Sequence, residues 1–447
     1  MTRIDERVST HVYKVKRISK EEMESIAGVC VYDQPPFCNA ACPLKLDVKA
    51  MLKAAAENDF KKAFKIYESI APFPLILSAG CGAPCEEKCR LCELGDGIAI
   101  GDIERAVALS GGAGEKRSIF RVRKKKKAAV FGSGLFALLL AGELEKKGYP
   151  VTAICGEADE EEYLRVAAGF LREDDFYTEL KRLRGKDIAF EFNAEMTREL
   201  FEEKRGGFDV LCASEKAALD IFPGAVRDEG IMLMESEGLL TGGGETVLEA
   251  AFGARKAALT ADRLAQGIDP RSARGEEGPV TSRLYTNPDL ARGLIRIKGC
   301  ESGYTREQAA EEAGRGMQCH CDECLRGCAY LCRFNKHPGL LSREIYNNTQ
   351  IIMGDHPLNR AMNACALCGQ CTVTCPHGFD MAHVCRTARE NMVDTDKMPL
   401  AAHEFALLDM LFSNGEAYLC RKQPGHSHCR YVFFPGCQAA AIAPEAV

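Results

Sequence analysis

Cysteine sets the strongest constraint on what this chain can fold into. It has 23 thiols in 447 residues, and most are crowded into two stretches, 30–92 and 319–375. Secreted scaffolds that rely on disulfides are small, and the polar stretch from Met1 to Glu24 lacks the apolar core of a secretory signal. A cytoplasmic location and reduced thiols are therefore expected, and crowded reduced thiolates read as metal ligands. Cys155, Cys212 and Cys300, alone in the middle of the chain, read as buried small apolar residues.

Other function classes recede on charge and hydropathy. A net charge of -6 over this length sets up no global field for nucleic acid. The apolar run Leu135 to Ala141 is far short of the ~18 residues that direct membrane insertion needs. The length predicts several domains. The expected fold class is multidomain, α and α/β: a helical cysteine region at 1–118, a Rossmann-like α/β domain at 127–268, a linker and helix at 269–317, and a helical cysteine region at 318–447. Within the first, Val48, Met51, Leu52, Phe60, Phe64 and Tyr67 recur at helical spacing, predicting a helical stretch from Asp47 to Ile70 whose stripe is core. The basic run Arg121 to Lys127 reads as a solvated linker. From Ala128 the pattern becomes strand, glycine turn, helix to Lys147, and strand Val151 to Ile154. Thr246 opens a long helix that Gly267 stops, and Thr305 with Gln308 predicts a capping box.

The most specific motif is Cys365, Cys368, Cys371, Cys375-Pro376, the C-x2-C-x2-C-x3-C-P run that bacterial ferredoxins wrap around a 4Fe-4S cluster. Zinc is the alternative occupant of paired cysteines, and this spacing favours the cluster. Upstream, Cys319, Cys321, Cys324, Cys328 and Cys332 offer five thiols where a second cluster needs four, so one of the five reads as a spectator. His320, His377 and His383 lie near these cysteines and read as ordinary surface or core histidines. The N-terminal set is Cys30, Cys38, Cys42, Cys81, Cys85, Cys89 and Cys92, and by spacing alone it leaves a pair of four-thiolate sites one ligand short.

The runs CNAACPLKLDVKAMLKAA, CGAPCEEKCR and IAIGDIERAV resemble the N-terminal two-cluster domain shared by glutamate synthase small subunits and dihydropyrimidine dehydrogenase. That resemblance implies one 4Fe-4S cluster on Cys30, Cys38 and Cys89, and another on Cys42, Cys81, Cys85 and Glu104. The family's remaining cysteine is Asp33 here. Either Asp33 ligates through oxygen, or Cys92 moves in, or that site is incomplete; three or four clusters are therefore expected in all. The segment VFGSGLFALLLAGELEKKGYPVTAI is similar to the flavin-binding opening of the same oxidoreductases, with Gly132, Ser133, Gly134 and Ala137 as the phosphate turn of an FAD site. Cys155 replaces the acid expected for the ribose hydroxyls, and Glu157 lies two residues on. The late GGD motif reads Gly242-Gly243-Gly244-Glu245. Residues 214–237 are too few for the nicotinamide domain the family inserts there.

Toward the C-terminus, GYTREQAAEEAG, EIYNN, HEFALLDMLFSNGEAY and RKQPGH resemble dicluster oxidoreductases of anaerobic bacteria. FFPGCQ is similar to the first motif of the heterodisulfide reductase cysteine-rich domain, which implies that Cys437 belongs to a stub of such a module. The function expected is electron transfer through 4Fe-4S clusters between partner redox proteins, including heterodisulfide reductase-like subunits, with no acid, base or nucleophile required. A flavin-dependent NAD(P)H oxidoreductase and a zinc-filled adaptor are the alternatives.

Overall fold

The segment Ala128–Phe131 is apolar at every position, as a strand covered on both faces must be, and it forms the centre of a six-stranded sheet. The strands are β1 (Ala128–Phe131), β2 (Val151–Ile154), β3 (Ile188–Glu191), β4 (Val210–Ser214), β5 (Leu233–Met234) and β6 (Leu239–Gly242). Their spatial order is β3-β2-β1-β4-β6-β5, all pairs parallel except β5 with β6. Ala128 pairs with Val151 on one side and Val210 on the other. Strand alternation then sends Ala128 and Val130 to one core, while Ala129 and Phe131 face a second core with Phe201, Ile221 and Phe222. The computed structural model describes residues 19–110, 123–275, 277–299, 303–395, 397, 405, 408, 422 and 424–433. Cys300, Cys437 and most of HEFALLDMLFSNGEAY lie outside them.

After β1 the chain turns through Gly132 and Gly134, both at positive φ. A Cβ on Gly132 would fall 2.5 Å from Ser214 Oγ, so only glycine fits the close passage of this turn against the end of β4. The helix Leu135–Lys146 follows and is buried from Phe136 to Glu145, because it lies between the sheet and the long helix Val247–Gln266. That long helix opens with the Thr246/Glu249 capping box and stops at Gly267 in the left-handed region. The described part of the basic run is anchored rather than free. Lys124 pairs with Asp262, and Lys126 donates to the Ala265 carbonyl near the end of that helix.

Two bodies make up the chain: Asp33–Cys321, and the described residues up to Tyr32 together with those from Asp322. In the larger body the expected helical stretch is two helices, Val48–Ala56 and Phe60–Glu68. The break is chemical: Asn58 adopts φ 61°, and Asp59 then caps the second helix by accepting from Lys62 N–H. These helices pack with Ile100–Ser110 and Arg306–Gly314, and their apolar stripe runs into the same core as the sheet. In the smaller body, Lys20–Ala27 packs on Pro338–Gln350, which packs on Met381–Asp394 around Met23, Leu341, Ile345, Val384 and Met392.

Candidate metal centres

The ferredoxin-type run in the smaller body is built on short helices. Cys365 ends the helix Asn359–Ala364, Cys371 lies in Gln370–Thr374, and Cys375 follows it. Between them Leu367 and Gly369 take positive φ, which lets the chain curl so that closely spaced residues face one point. Cys328, Cys365, Cys368 and Cys371 line a cavity of about 470 Å³ together with Tyr330, Phe334, Met381 and Ala382. Space of this size among four sulfurs and apolar walls fits a 4Fe-4S cubane, whose iron takes thiolates. Cys324 is buried in the same core, with Cys375 packed against it. Cys332 is exposed. His320 Nδ1 lies 2.8 Å from the Gln318 carbonyl.

Cys385 carried no motif in the sequence, yet it is buried here. Tyr330 Oη stands 3.6 Å from its sulfur. Burial pushes its thiol up to about 12, with Cys365 adding to the rise. It follows Cys375 by ten residues on another helix, a spacing with no signal; only the helical period, which turns it inward with Met381 and Val384, marks it as interior.

In the larger body the structure brings Cys42, Cys81, Cys85 and Glu104 together. Burial raises all three thiols, and Glu104 raises each of them further. Cys81 reaches about 12. Glu104 is itself fully buried on Ile100–Ser110, and burial pushes its carboxyl up to about 8 despite the Tyr67 hydroxyl beside it. Three sulfurs and one carboxyl therefore lie within electrostatic reach of one another in the interior. They repel one another when ionised, a repulsion that bound iron would cancel.

Cys38 and Cys89 form a second group in this body, and Cys92 stands beside Cys89 with its thiol donating to the Glu86 carbonyl at 3.4 Å. Cys30 belongs to the smaller body, packed against Gly339. Asp33 begins the larger body. Cys319 and Cys321 also belong to the larger body, whereas Cys324, Cys328 and Cys332 belong to the smaller.

At the dinucleotide turn, a Cβ on Gly134 would meet nothing within 4 Å, leaving open space before the N-terminus of Leu135–Lys146. Ala137 is fully buried where the helix meets the sheet. Cys155 is raised to about 12 by burial and by the adjacent Glu157, whose Oε2 is buried without a hydrogen-bond partner. An orphaned acceptor three residues beyond β2 suits a ribose hydroxyl, so these residues fit a dinucleotide.

A cysteine-lined cavity in the smaller body and a buried group of three thiols and a carboxyl in the larger are the features of an iron–sulfur protein. Comparison with protein families agrees: residues 7–112 match the dihydropyrimidine dehydrogenase domain II 4Fe-4S cluster module, and residues 317–380 match the 4Fe-4S dicluster domain. The NADPH-Fe(3+) oxidoreductase subunit beta of Geobacter sulfurreducens is 28% identical over 230 residues, which is 48% of this chain and 33% of that protein. The NADP(+)-dependent formate dehydrogenase subunit beta of Moorella thermoacetica is 28% identical over 159 residues, 30% of this chain and 21% of the other. The glutamate synthase (NADPH) small chain of Azospirillum brasilense is 29% identical over 146 residues, 30% and 29% of the two chains. The chain thus spans a third or less of the length of these relatives. Among the described residues no helix is long and apolar enough to cross a membrane.

Proposed function

We propose that the chain relays electrons, one at a time, through 4Fe-4S clusters as a subunit of an oxidoreductase assembly. The observation that carries this is the cavity shared by Cys328, Cys365, Cys368 and Cys371, where a ferredoxin spacing meets a space with room for a cubane. When bound, the clusters supply the redox chemistry. The chain's own residues hold them, exclude water through Tyr330, Phe334 and Met381, and set their surroundings. Cys42, Cys81, Cys85 and Glu104 would hold another cluster. FAD at Gly132, Ser133, Gly134, Ala137 and Glu157 is the further cofactor of this reading, supported by the open space at Gly134 and the unpartnered Glu157 oxygen. Partners are redox proteins, heterodisulfide reductase-like subunits among them. Three domains are proposed: a helical two-cluster domain, a reduced flavoprotein-like domain and an α-helical ferredoxin domain. Anaerobic purification followed by iron, acid-labile sulfide, zinc and flavin analysis tests the reading. Three or four clusters per chain are expected, and bound zinc without sulfide refutes it.

A further inference from the structure

Five thiols sit between residues 319 and 332, and the first two of them, Cys319 and Cys321, do not stay with the other three. Cys319 belongs to the larger body and packs against the same core as Cys38 and Cys89. It is fixed there by backbone contacts. Lys49 Nζ donates to the Cys319 carbonyl at 2.9 Å, and Gln318 Nε2 reaches back to the Lys49 carbonyl at 3.5 Å. The Lys49 N–H in turn donates to Asn39 Oδ1 at 3.0 Å, and the Cys38 thiol donates to that same oxygen at 3.6 Å. A chain of hydrogen bonds therefore runs from Cys38 to Cys319 across some 280 residues of sequence, anchored at the start of the helix Val48–Ala56.

The three thiols also interact electrostatically. Cys38 lies within electrostatic reach of both Cys319 and Cys89, and Cys319 within reach of Cys89. The buried hydroxyl of Thr286, with no nitrogen or oxygen partner of its own, stands beside Cys319. Cys92 is placed differently: exposed, engaged with the Glu86 carbonyl, and facing Cys89 rather than Cys38.

We propose that Cys319 is a thiolate ligand of the N-terminal cluster held by Cys38 and Cys89, making good the thiolate lost where Asp33 stands. The five-thiol excess of the C-terminal motif then has an explanation: Cys319 is its spectator and is a ligand elsewhere. Ligation forms a sulfur–iron bond and releases the thiol proton to solvent. The Thr286 hydroxyl is a positioning group that hydrogen-bonds the sulfur.

This inference rests on reading the chain as an iron–sulfur protein, and the test separates the two. Cys319→Ser, Cys38→Ser and Cys368→Ser are made in the full chain and purified anaerobically. Iron, acid-labile sulfide and the EPR spectrum of the dithionite-reduced protein are then compared. The expected result is that Cys319→Ser alters the same signal as Cys38→Ser and leaves untouched the one lost in Cys368→Ser. Loss of the Cys368-dependent signal instead, or a spectrum identical to the parent's, overturns the proposal while leaving the iron–sulfur reading intact. Absence of sulfide in the parent overturns both. A second measurement does not need the variants to assemble clusters. In the iron-stripped, reduced full chain, a short thiol cross-linker should join Cys319 to Cys38 or Cys89, as mapped by peptide mass. Links from Cys319 to Cys328 or Cys365, or none to Cys38 or Cys89, count against it.

Discussion

Glu179 accepts the backbone N–H of Leu75 at 2.6 Å, joining the helix Glu173–Arg184 of the α/β region to the start of Pro74–Gly80 in the cysteine-bearing helical region. Arg182 reaches the same oxygen at 3.3 Å, and nearby Arg105 pairs with Asp175 at 2.6 Å. Gly80 lies so close to Val247 that a Cβ there would stand 2.2 Å from its Cγ2. The two regions share one core because side chains a hundred residues apart are matched across this seam.

The seam should impose a pH dependence. Burial raises the Glu179 carboxyl from 4.5 to about 7, against the opposing pull of Arg182 and the Leu75 N–H. Below pH 4.5 folded and unfolded chains both hold this proton. As pH rises the unfolded chain releases it first, so the group's contribution to stability declines until the folded carboxyl also ionises near 7, and then levels off. Glu179→Gln keeps an acceptor for Leu75 and cannot ionise. Urea unfolding between pH 4.5 and 8 should show the parent losing up to about 3 kcal/mol relative to the variant across that window. Parallel pH profiles would rule the assignment out.

A second buried carboxylate ties the loop before the Glu104 helix. Glu312 accepts from Ala99 N–H at 3.0 Å, Ile297 N–H at 2.9 Å and the Arg315 guanidinium at 2.5 Å. Glu312→Ala strands two backbone donors and removes the counter-charge of buried Arg315, which keeps only the Gly293 and Asp96 carbonyls, and should cost about 3–5 kcal/mol. Chemical denaturation of the full chain measures it; a loss under 1 kcal/mol would mean that water replaces the carboxylate.

Much of this was legible in the sequence, for local reasons. The glycine spacing after AAVF specified strand, turn and helix because positive φ at Gly132 and Gly134 is a backbone requirement. Thr305 and Gln308 form their capping box because only nearest neighbours decide it. The seam at Glu179 was not legible, since nothing near residue 179 announces Leu75. Nor was the helix Lys20–Ala27 recognisable as part of the smaller body, its partner Pro338–Gln350 lying some 300 residues away. Among the cysteines, proximity in sequence misled: Cys319 and Cys321 sit three to five residues from Cys324, yet the division between bodies falls after Cys321.

Cys328 and Cys332 belong to the same run of five thiols, and the structure separates them. Cys328 lines the cavity with Cys365, Cys368 and Cys371; Cys332 is not among its lining residues. Cys328→Ser should therefore remove or convert the cluster that Cys368→Ser removes, with up to about four irons lost per chain. Cys332→Ser should leave that cluster's EPR signal in place. Reversal of the two results would exchange their roles.

Reduced nicotinamide should not reduce this chain directly. Hydride transfer needs a nicotinamide ring held against an acceptor, within reacting distance and correctly oriented. The resembling oxidoreductases place a second dinucleotide domain between the strand equivalent to β4 and the late glycine turn. Here β4 ends at Ser214 and β6 begins at Leu239, and the interval holds one helix, Glu215–Ile221, and the two-residue strand β5. That is less than the roughly 30 residues of one βαβ unit. The glycine turn itself is filled: a Cβ on Gly242 would meet Met232 at 2.3 Å and Phe136 at 2.7 Å, so apolar side chains close on it. Electrons should then enter through the clusters from a protein partner. The check is anaerobic mixing of the cluster-loaded chain with excess NADH or NADPH while visible absorption is followed, with dithionite as the positive control. No bleaching within minutes is expected from either nucleotide; rapid bleaching without an added partner would make the chain an NAD(P)H oxidoreductase in its own right.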